Sequence, residues 1–173
     1  EGGTWALKNA WITNTIIHQS GKKLSLLIAV IILTLLIVSY LSQYLRQYRR
    51  ELVYLLLAAG GGSVLISALK SISHVSCVWD FSRYGGKLEY ASVYSQILNM
   101  SGDNCFPAGH ASGGYAWLAF YFLGVYKHSK WRWIGLGGAL SVGLIFGFSQ
   151  QLRGAHFITH DLWTLAICWF FSL

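Results

Sequence analysis

The residues of this chain that could carry out chemistry stand at the borders of its apolar runs. An ionisable residue at the edge of a hydrophobic segment is energetically costly, so it indicates function by default. The candidates are Lys70, His110, Arg153, His156, His160 and Asp161. A neutral imidazole can attack phosphorus, a second one can protonate the leaving oxygen, and fixed cations can hold the remaining phosphate oxygens. The set favours phosphoryl transfer without a metal ion, whereas Lys70 by itself is equally consistent with an anchor at the membrane interface.

The stretch from Cys105 to Gly114 predicts where one histidine lies. Pro107 stops any helix before it and suits the start of the next one. Small residues on both sides of His110 leave backbone N–H groups uncovered, and such groups bind anions at a helix N-terminus. We therefore expect His110 on the first turn of a membrane helix, beside a backbone that can hold phosphate.

The composition is that of a membrane protein. Of the 173 residues, 54% are hydrophobic and only 11% are charged, which is unusual for a soluble domain. The net charge of +7 comes from cations that fall between long apolar runs. Membrane topology explains this placement, so nucleic acid is excluded as a partner.

The apolar runs predict an all-α, polytopic transmembrane helix bundle that forms a single domain over residues 1–173. Residues 1–23 are too mixed to cross a bilayer and suit its interface. Because the chain begins at Glu1 without a methionine or a signal peptide, we expect a further N-terminal span to be missing. The five predicted spans are Leu24–Leu41, Leu52–Leu69, Ala108–Tyr126, Trp133–Phe148 and Ile158–Leu173.

Two short basic turns set the predicted orientation. One contains Arg46, Arg49 and Arg50, and alternating spans place the turn from Lys127 to Arg132 on the same face. The positive-inside rule assigns that face to the cytoplasm. The long loop 71–107 and the tight loop Ser149–Phe157 then share the outer face, where the candidate residues meet. An integral membrane protein with its site on the outer face is the resulting expectation; in a bacterium this is the inner membrane, with the site towards the periplasm or exterior.

The outer loop holds two further features. Cys77 and Cys105 could form a disulfide in an oxidising compartment, although their spacing leaves two free thiols equally open. Cys168 lies within the fifth predicted span and is expected to be a buried thiol.

The long loop also carries aromatic residues that could shape the choice of lipid or form an interfacial belt. They are Trp79, Tyr84, Tyr90 and Tyr94.

Three motifs, in order, resemble the type-2 phosphatidic acid phosphatase superfamily of membrane lipid phosphatases, whose patterns are KxxxxxxRP, PSGH and SRxxxxxHxxxD. Lys70 lies at the end of a span, as the first motif's lysine does. Pro107-Ala108-Gly109-His110 matches the second motif except for alanine in place of serine. Ser149 to His156 matches the serine and histidine of the third. The resemblance covers roughly residues 24–173 and includes the placement of the motifs relative to the spans.

The resemblance implies a role for each residue. His156 would be the nucleophile that forms a phosphohistidine, and His110 would be the general acid that later activates water. Asp161 or His160 would orient His156 through its other ring nitrogen. The phosphate would be bound by Lys70, Arg153, Arg83, Gly109 and Ala108. The substrate would be a lipid phosphate within the bilayer, and no cofactor is implied.

The chain departs from the family pattern at several positions. Cys77-Val78 stands where the first motif has arginine-proline, which leaves Arg83 as the nearest substitute. Gln150 occupies the third motif's arginine position. His160 stands where an aspartate is expected, and Asp161 follows it. A competing register makes His160 the nucleophile; we prefer His156.

Other classes of function stay open at this point. A serine hydrolase would pair Ser112 with His156, but the lipase-type elbow would need glycine where the chain has His110. A metal site could be built from Cys105, His110, His156 and His160. A lipid phosphotransferase would differ from a phosphatase only in the acceptor. A lipid-binding or transport protein would hold an anionic headgroup without cleaving it.

Overall fold

A computed structural model describes residues 21–100 and 102–173. It also describes the earlier positions Trp5, Leu7, Lys8, Ala10, Trp11, Thr13, Ile17 and Gln19. Most of the predicted interfacial segment 1–23 therefore lies outside the described residues. The described part of the chain is helical and contains no β-strand, with two isolated bridges in the long loop.

The helices follow the predicted apolar runs but differ from them in their bounds. The first three are α1 (Gly21–Val38), α2 (Gln43–Arg46) and α3 (Arg49–Leu55). A π-helical turn, Leu56–Gly60, joins α3 to α4 (Gly61–Ile72), so that Arg49–Ile72 is one continuous helix. The remaining helices are α5 (Val93–Asn99), α6 (Gly109–Tyr115), α7 (Ala119–Tyr126), α8 (Arg132–Leu152) and α9 (Ile158–Ser172).

Two of these helices are long and apolar enough to cross a membrane, namely Arg49–Ile72 and Arg132–Leu152. The prediction of five spans is therefore supported only in part. Residues 23–38 form an apolar but shorter helix. A 3₁₀ turn, Ala116–Leu118, separates α6 from α7, and α9 has 15 residues. At 1.5 Å per residue, α9 is roughly 22 Å long.

Helix α6 lies at the centre of the bundle, where it packs against α8, α9, α4 and α1. Glycine permits its closest crossing, since a Cβ on Gly114 would collide with the backbone of Val142 and Gly143. The ring of Tyr115 fills the space that the missing Cβ of Gly143 leaves, and it is almost fully buried. Because α6 is fixed on four sides, the residues on its first turn have a defined position.

A disulfide and several hydrogen bonds hold the long loop, residues 71–107, against the bundle. Cys77 and Cys105 form a disulfide with a Cα–Cα distance of 5.1 Å. Next to it, the Cys105 N–H donates to the Val75 carbonyl at 2.8 Å, and the Ser76 N–H donates to Gln96 Oε1 at 2.8 Å. Gln96 belongs to the short helix α5 inside the loop. These bonds bring the end of α4 and the start of α6 together at one end of the bundle.

Candidate active site

His156 lies in the short connection between α8 and α9. Helix α8 continues to Leu152, beyond the predicted end at Phe148, so the connection begins at Arg153 rather than at Ser149. The chain reverses at Gly154, whose φ of 75° favours glycine. The Ala155 N–H donates to the Gln150 carbonyl at 2.9 Å, and the Trp79 N–H of the long loop donates to the Gly154 carbonyl at 3.0 Å. The imidazole of His156 is consequently held in a buried position.

His160 stands directly behind His156 on the first turn of α9. Its Nδ1 lies 3.0 Å from the Cys105 carbonyl and 3.5 Å from Nδ1 of His156. The Cys105 backbone also forms a hydrogen bond with His156. A carbonyl oxygen has two lone pairs, so it accepts from both rings when each carries its proton on Nδ1. In that tautomer the Nε2 lone pair of His156 is available as a nucleophile.

Lys70 and His110 complete the group from two other helices. The Lys70 side chain passes Gly109, where a methyl group added to the glycine Cα would stand 3.5 Å from Cδ and 3.9 Å from Nζ. His110 follows on the first helical turn, after Ala108 at the N-cap, as the sequence predicts. It is partly exposed and lines a cavity of about 310 Å³. Three helix ends thus converge on one site.

The electrostatic surroundings of His156 favour its neutral form. Burial lowers the pKa of His156 well below its usual value of 6.5. The positive charge of Lys70 lowers the pKa further, and smaller contributions come from His160 and His110. The hydrogen bond with the Cys105 backbone acts in the opposite direction. At neutral pH the imidazole therefore keeps its lone pair, as a nucleophile requires.

The two arginines expected to bind phosphate, Arg153 and Arg83, differ in their contacts and exposure. Arg153 Nε donates to the Lys8 carbonyl at 3.0 Å, and its Nη1 donates to Gln150 Oε1 at 3.2 Å. This places the guanidinium beside the His156 connection. Arg83 lies in the exposed turn Ser82–Tyr84, where it makes no hydrogen bond or ion pair with the described residues. Arg153 thus belongs to the connection that carries His156, whereas the turn of Arg83 contacts that connection through the rings of Tyr84 and Phe157.

Asp161 points to a different neighbour from the one the resemblance implies. Gln151 Nε2 donates to its Oδ2, and the carboxylate packs against the Cα of Gly147 in α8. Asp161 Oδ1 is buried without a hydrogen-bond partner among the described residues. The ring contacts of His156 are with Cys105 and His160 instead. Of the two residues expected to orient His156, His160 is the one in contact with it.

Two of the alternative functions, the metal site and the serine hydrolase, each require a residue that is engaged elsewhere in the structure. Cys105 is in a disulfide, so its sulfur cannot serve as a thiolate ligand for a metal ion. The Ser112 hydroxyl is buried and donates to the Gly109 carbonyl at 2.7 Å. It is therefore engaged with its own helix rather than with His156.

Aromatic rings wall the histidines on the side of the long loop. The ring centroid of Phe106 lies 5.2 Å from that of His160, and Phe157 lies 5.6 Å from it. Phe157 also contacts rings of the loop, namely Phe81, Tyr84 and Tyr90. The sequence pattern indicates the tyrosines but not Phe106 and Phe157, although both flank the motif histidines. Such rings exclude water from one side of the imidazoles.

No family model matches this chain, and neither the curated proteins nor the solved structures yield a match. Its function is therefore inferred from the residues and the geometry described above.

Proposed function

We propose that this chain is an integral membrane lipid phosphatase that hydrolyses a phosphomonoester or diphosphate on a lipid headgroup through a phosphohistidine, without a metal ion. One arrangement carries the proposal: His156 is buried beside Lys70 and His110 and contacts the Cys105 backbone, and this burial together with Lys70 lowers its pKa and favours the neutral ring. A neutral imidazole next to a fixed cation and a second imidazole is the arrangement that metal-independent phosphoryl transfer needs.

The proposal includes the membrane arrangement. Helix α1, the helix Arg49–Ile72, the pair α6–α7, α8 and α9 would cross the bilayer alternately as five spans. The histidines would then face the outer side, and the basic turns near Arg50 and Lys127 would face the cytoplasm. In a bacterium this places the protein in the inner membrane with its site towards the periplasm.

The first half-reaction forms the covalent intermediate. Nε2 of neutral His156 donates its lone pair to phosphorus, and the bond from phosphorus to the lipid oxygen breaks. His110, in its imidazolium form, gives its proton to that oxygen, so the lipid leaves as an alcohol or a lipid monophosphate. Lys70 and the backbone N–H groups on the first turn of α6, which begins at Gly109, bind the equatorial phosphate oxygens, on which negative charge is spread in the transition state.

The second half-reaction regenerates the protein. His110 is now neutral and accepts a proton from water while the water oxygen attacks phosphorus. The P–N bond to His156 breaks, and inorganic phosphate leaves. His110 is again protonated and His156 is again neutral, so the charges and protons balance over the cycle. An acceptor hydroxyl in place of water would make the same intermediate a phosphotransferase.

The positioning of His156 depends on backbone and on a second histidine rather than on a carboxylate. The Cys105 backbone contacts both rings, and a proton on Nδ1 of His156 at that contact directs Nε2 away from the carbonyl. Asp161 instead ties α9 to α8 through Gln151. We therefore assign His160 and the Cys105 carbonyl as the positioning groups and Asp161 to the packing of the helices.

Phosphate release from a panel of lipid phosphates in detergent tests this function. The wild type should release phosphate in the presence of a chelator and be inhibited by vanadate. His156→Ala and His110→Ala should be inactive, and the control His128→Asn, at an exposed position with a φ of 51°, should retain activity. Activity that the chelator abolishes would favour a metal enzyme. Headgroup binding without release, unchanged in His156→Ala, would favour a binding protein.

A further inference from the structure

A second cavity lies at the opposite end of the bundle from the histidines. It has a volume of about 630 Å³, within the range of small-molecule sites. Its polar lining includes Arg46, Arg50, Lys127 and Glu51, and its apolar lining includes Phe122 and Leu123. Arg50 and Lys70 belong to the same continuous helix. Twenty residues at 1.5 Å each separate them by roughly 30 Å, so this cavity is distinct from the proposed active site.

The positive charge of this cavity is only partly compensated. Lys127 forms an ion pair with Glu51, which raises the pKa of Lys127. The side chains of Arg46 and Arg50 are exposed and form no hydrogen bond or ion pair with the described residues. Their neighbour Arg49 differs, because its Nη2 donates to the Ser39 carbonyl at 2.6 Å. Three cations against one carboxylate leave two positive charges at the cavity, which suits an anion.

The cavity continues into an apolar groove. Both are lined by Leu123 and Lys127, and the groove has a volume of about 610 Å³ between α1, α7 and α8. Its walls are mostly apolar and reach as far as Trp117 and Phe146. A cationic pocket joined to an apolar groove is complementary to a molecule with an anionic head and a long hydrocarbon chain. Free phosphate would satisfy the pocket but leave the groove unfilled.

We propose that this pocket and groove bind an anionic phospholipid of the leaflet opposite the histidine site. The headgroup phosphodiester lies between Arg46 and Arg50, with Lys127 at the junction where one acyl chain enters the groove. Basic pockets between helix ends are typical sites for such headgroups. No histidine lines this pocket among the described residues, so the lipid is retained there and not cleaved. The proposal requires membrane insertion but does not depend on the phosphatase assignment.

Lipid-dependent thermal unfolding in neutral detergent tests the proposal. Phosphatidylglycerol should raise the unfolding temperature of the wild type, whereas phosphatidylcholine with the same acyl chains should not. The double variant Arg46→Gln/Arg50→Gln should need a roughly 30-fold higher phosphatidylglycerol concentration for the same shift, at about a tenfold factor per 1.4 kcal/mol and about 1 kcal/mol per arginine. Its unfolding temperature without lipid should be unchanged, because both side chains are exposed.

A matched control removes two positive charges from the other end of the molecule. Arg83→Gln/Lys87→Gln changes two exposed loop residues and should respond to phosphatidylglycerol like the wild type. The proposal is wrong if this control loses as much stabilisation as the arginine variant, or if both lipids stabilise equally. Equal stabilisation by inorganic phosphate would also overturn it, since the groove would then have no part in binding.

Discussion

The two ends of the bundle hold their cations and imidazoles in opposite ways. At the histidine end, His156 and His160 are buried, and the disulfide-linked Cys105 contacts both through its backbone. At the other end, the side chains of Arg46 and Arg50 are exposed and form no hydrogen bond or ion pair with the described residues. Burial with fixed contacts sets the protonation state and the orientation of an imidazole, and a nucleophile needs both. Exposed cations set charge only, which is sufficient for holding a headgroup.

The largest expected effect comes from removing the proposed nucleophile. His156→Gln preserves the size and polarity of the buried side chain but cannot attack phosphorus. Phosphate release should fall by about 10³-fold or more, while the unfolding temperature changes little. Arg50→Gln, at the other end of the bundle, should keep full activity in the same assay. Residual activity within tenfold of the wild type in His156→Gln would contradict the role of this residue.

Removing the disulfide between Cys77 and Cys105 tests whether the histidine end owes its rigidity to the long loop. Cys77→Ser/Cys105→Ser opens a connection that spans 28 residues and should cost roughly 3 kcal/mol of folding stability. Activity should fall by about tenfold, since the Cys105 carbonyl positions both histidines. The control Cys168→Ala changes a buried free thiol and should keep its sensitivity to reductant. If reductant leaves the activity of the wild type unaltered, the loop does not position the histidines.

The pH profile should separate burial from charge at His156. Burial and then Lys70 lower the pKa of His156, so the ring stays neutral below its usual value of 6.5. The acid limb of kcat should therefore lie below pH 6.5. In the unfolded chain, His156 has its usual pKa and takes up a proton as the pH falls below 6.5, whereas in the folded chain it stays neutral. Protonation therefore stabilises the unfolded chain, and the folding stability decreases as the pH falls below 6.5.

The variant Lys70→Met sharpens this test. It removes the positive charge that lowers the pKa of His156, so the acid limb of the kcat profile should move to higher pH. Burial still keeps this limb below pH 6.5. A limb that moves to lower pH, or not at all, would show that Lys70 does not act on His156. Lys127→Met, at the basic end, should leave the limb in place.

Packing at the centre of the bundle positions the histidine end, and glycine substitutions test it. Gly114→Ala would push a methyl into the backbone of Val142 and Gly143, whereas Gly138→Ala meets nothing within 4 Å. Gly114→Ala should cost about 1–3 kcal/mol, and Gly138→Ala should be neutral or stabilising by up to about 1 kcal/mol. Unfolding temperatures in detergent measure both, and equal effects would rule out a tight crossing there.

The smallest effect is expected at Arg83. Because its side chain is exposed and makes no hydrogen bond or ion pair with the described residues, Arg83→Gln should change phosphate release by less than about twofold. A loss of tenfold or more would place Arg83 at the phosphate, as the resemblance implies, and would extend the rigid end into the exposed turn.

Several features of the site can be predicted from the sequence because they depend on local signals. Pro107 and the small residues after it predict a helix start, and the structure has His110 on the first turn of α6. Apolar runs that end at Lys70 and restart near His110 predict that the two meet. The five spans are a weaker inference, since apolar length alone does not show whether a helix such as α9 crosses a membrane.

Other features depend on contacts that no local signal encodes. A backbone carbonyl such as that of Cys105 carries no sequence signature, so its role towards the histidines is visible only in the fold. Polar residues after Phe148 predict a loop, but α8 continues through them because Ser149 and Gln150 are buried. The partner of Asp161 is Gln151, ten residues earlier, and only the packing of α9 on α8 reveals it.

The central claim is that phosphorus becomes bonded to His156. The most direct measurement is rapid acid-free quenching of the protein with a labelled lipid phosphate, followed by peptide mapping of acid-labile phosphohistidine. In the wild type quenched during turnover, the label should appear on the peptide that contains His156, and it should be absent from His156→Gln. A label on His160 instead, or turnover of phosphate with no histidine labelled, would contradict the account.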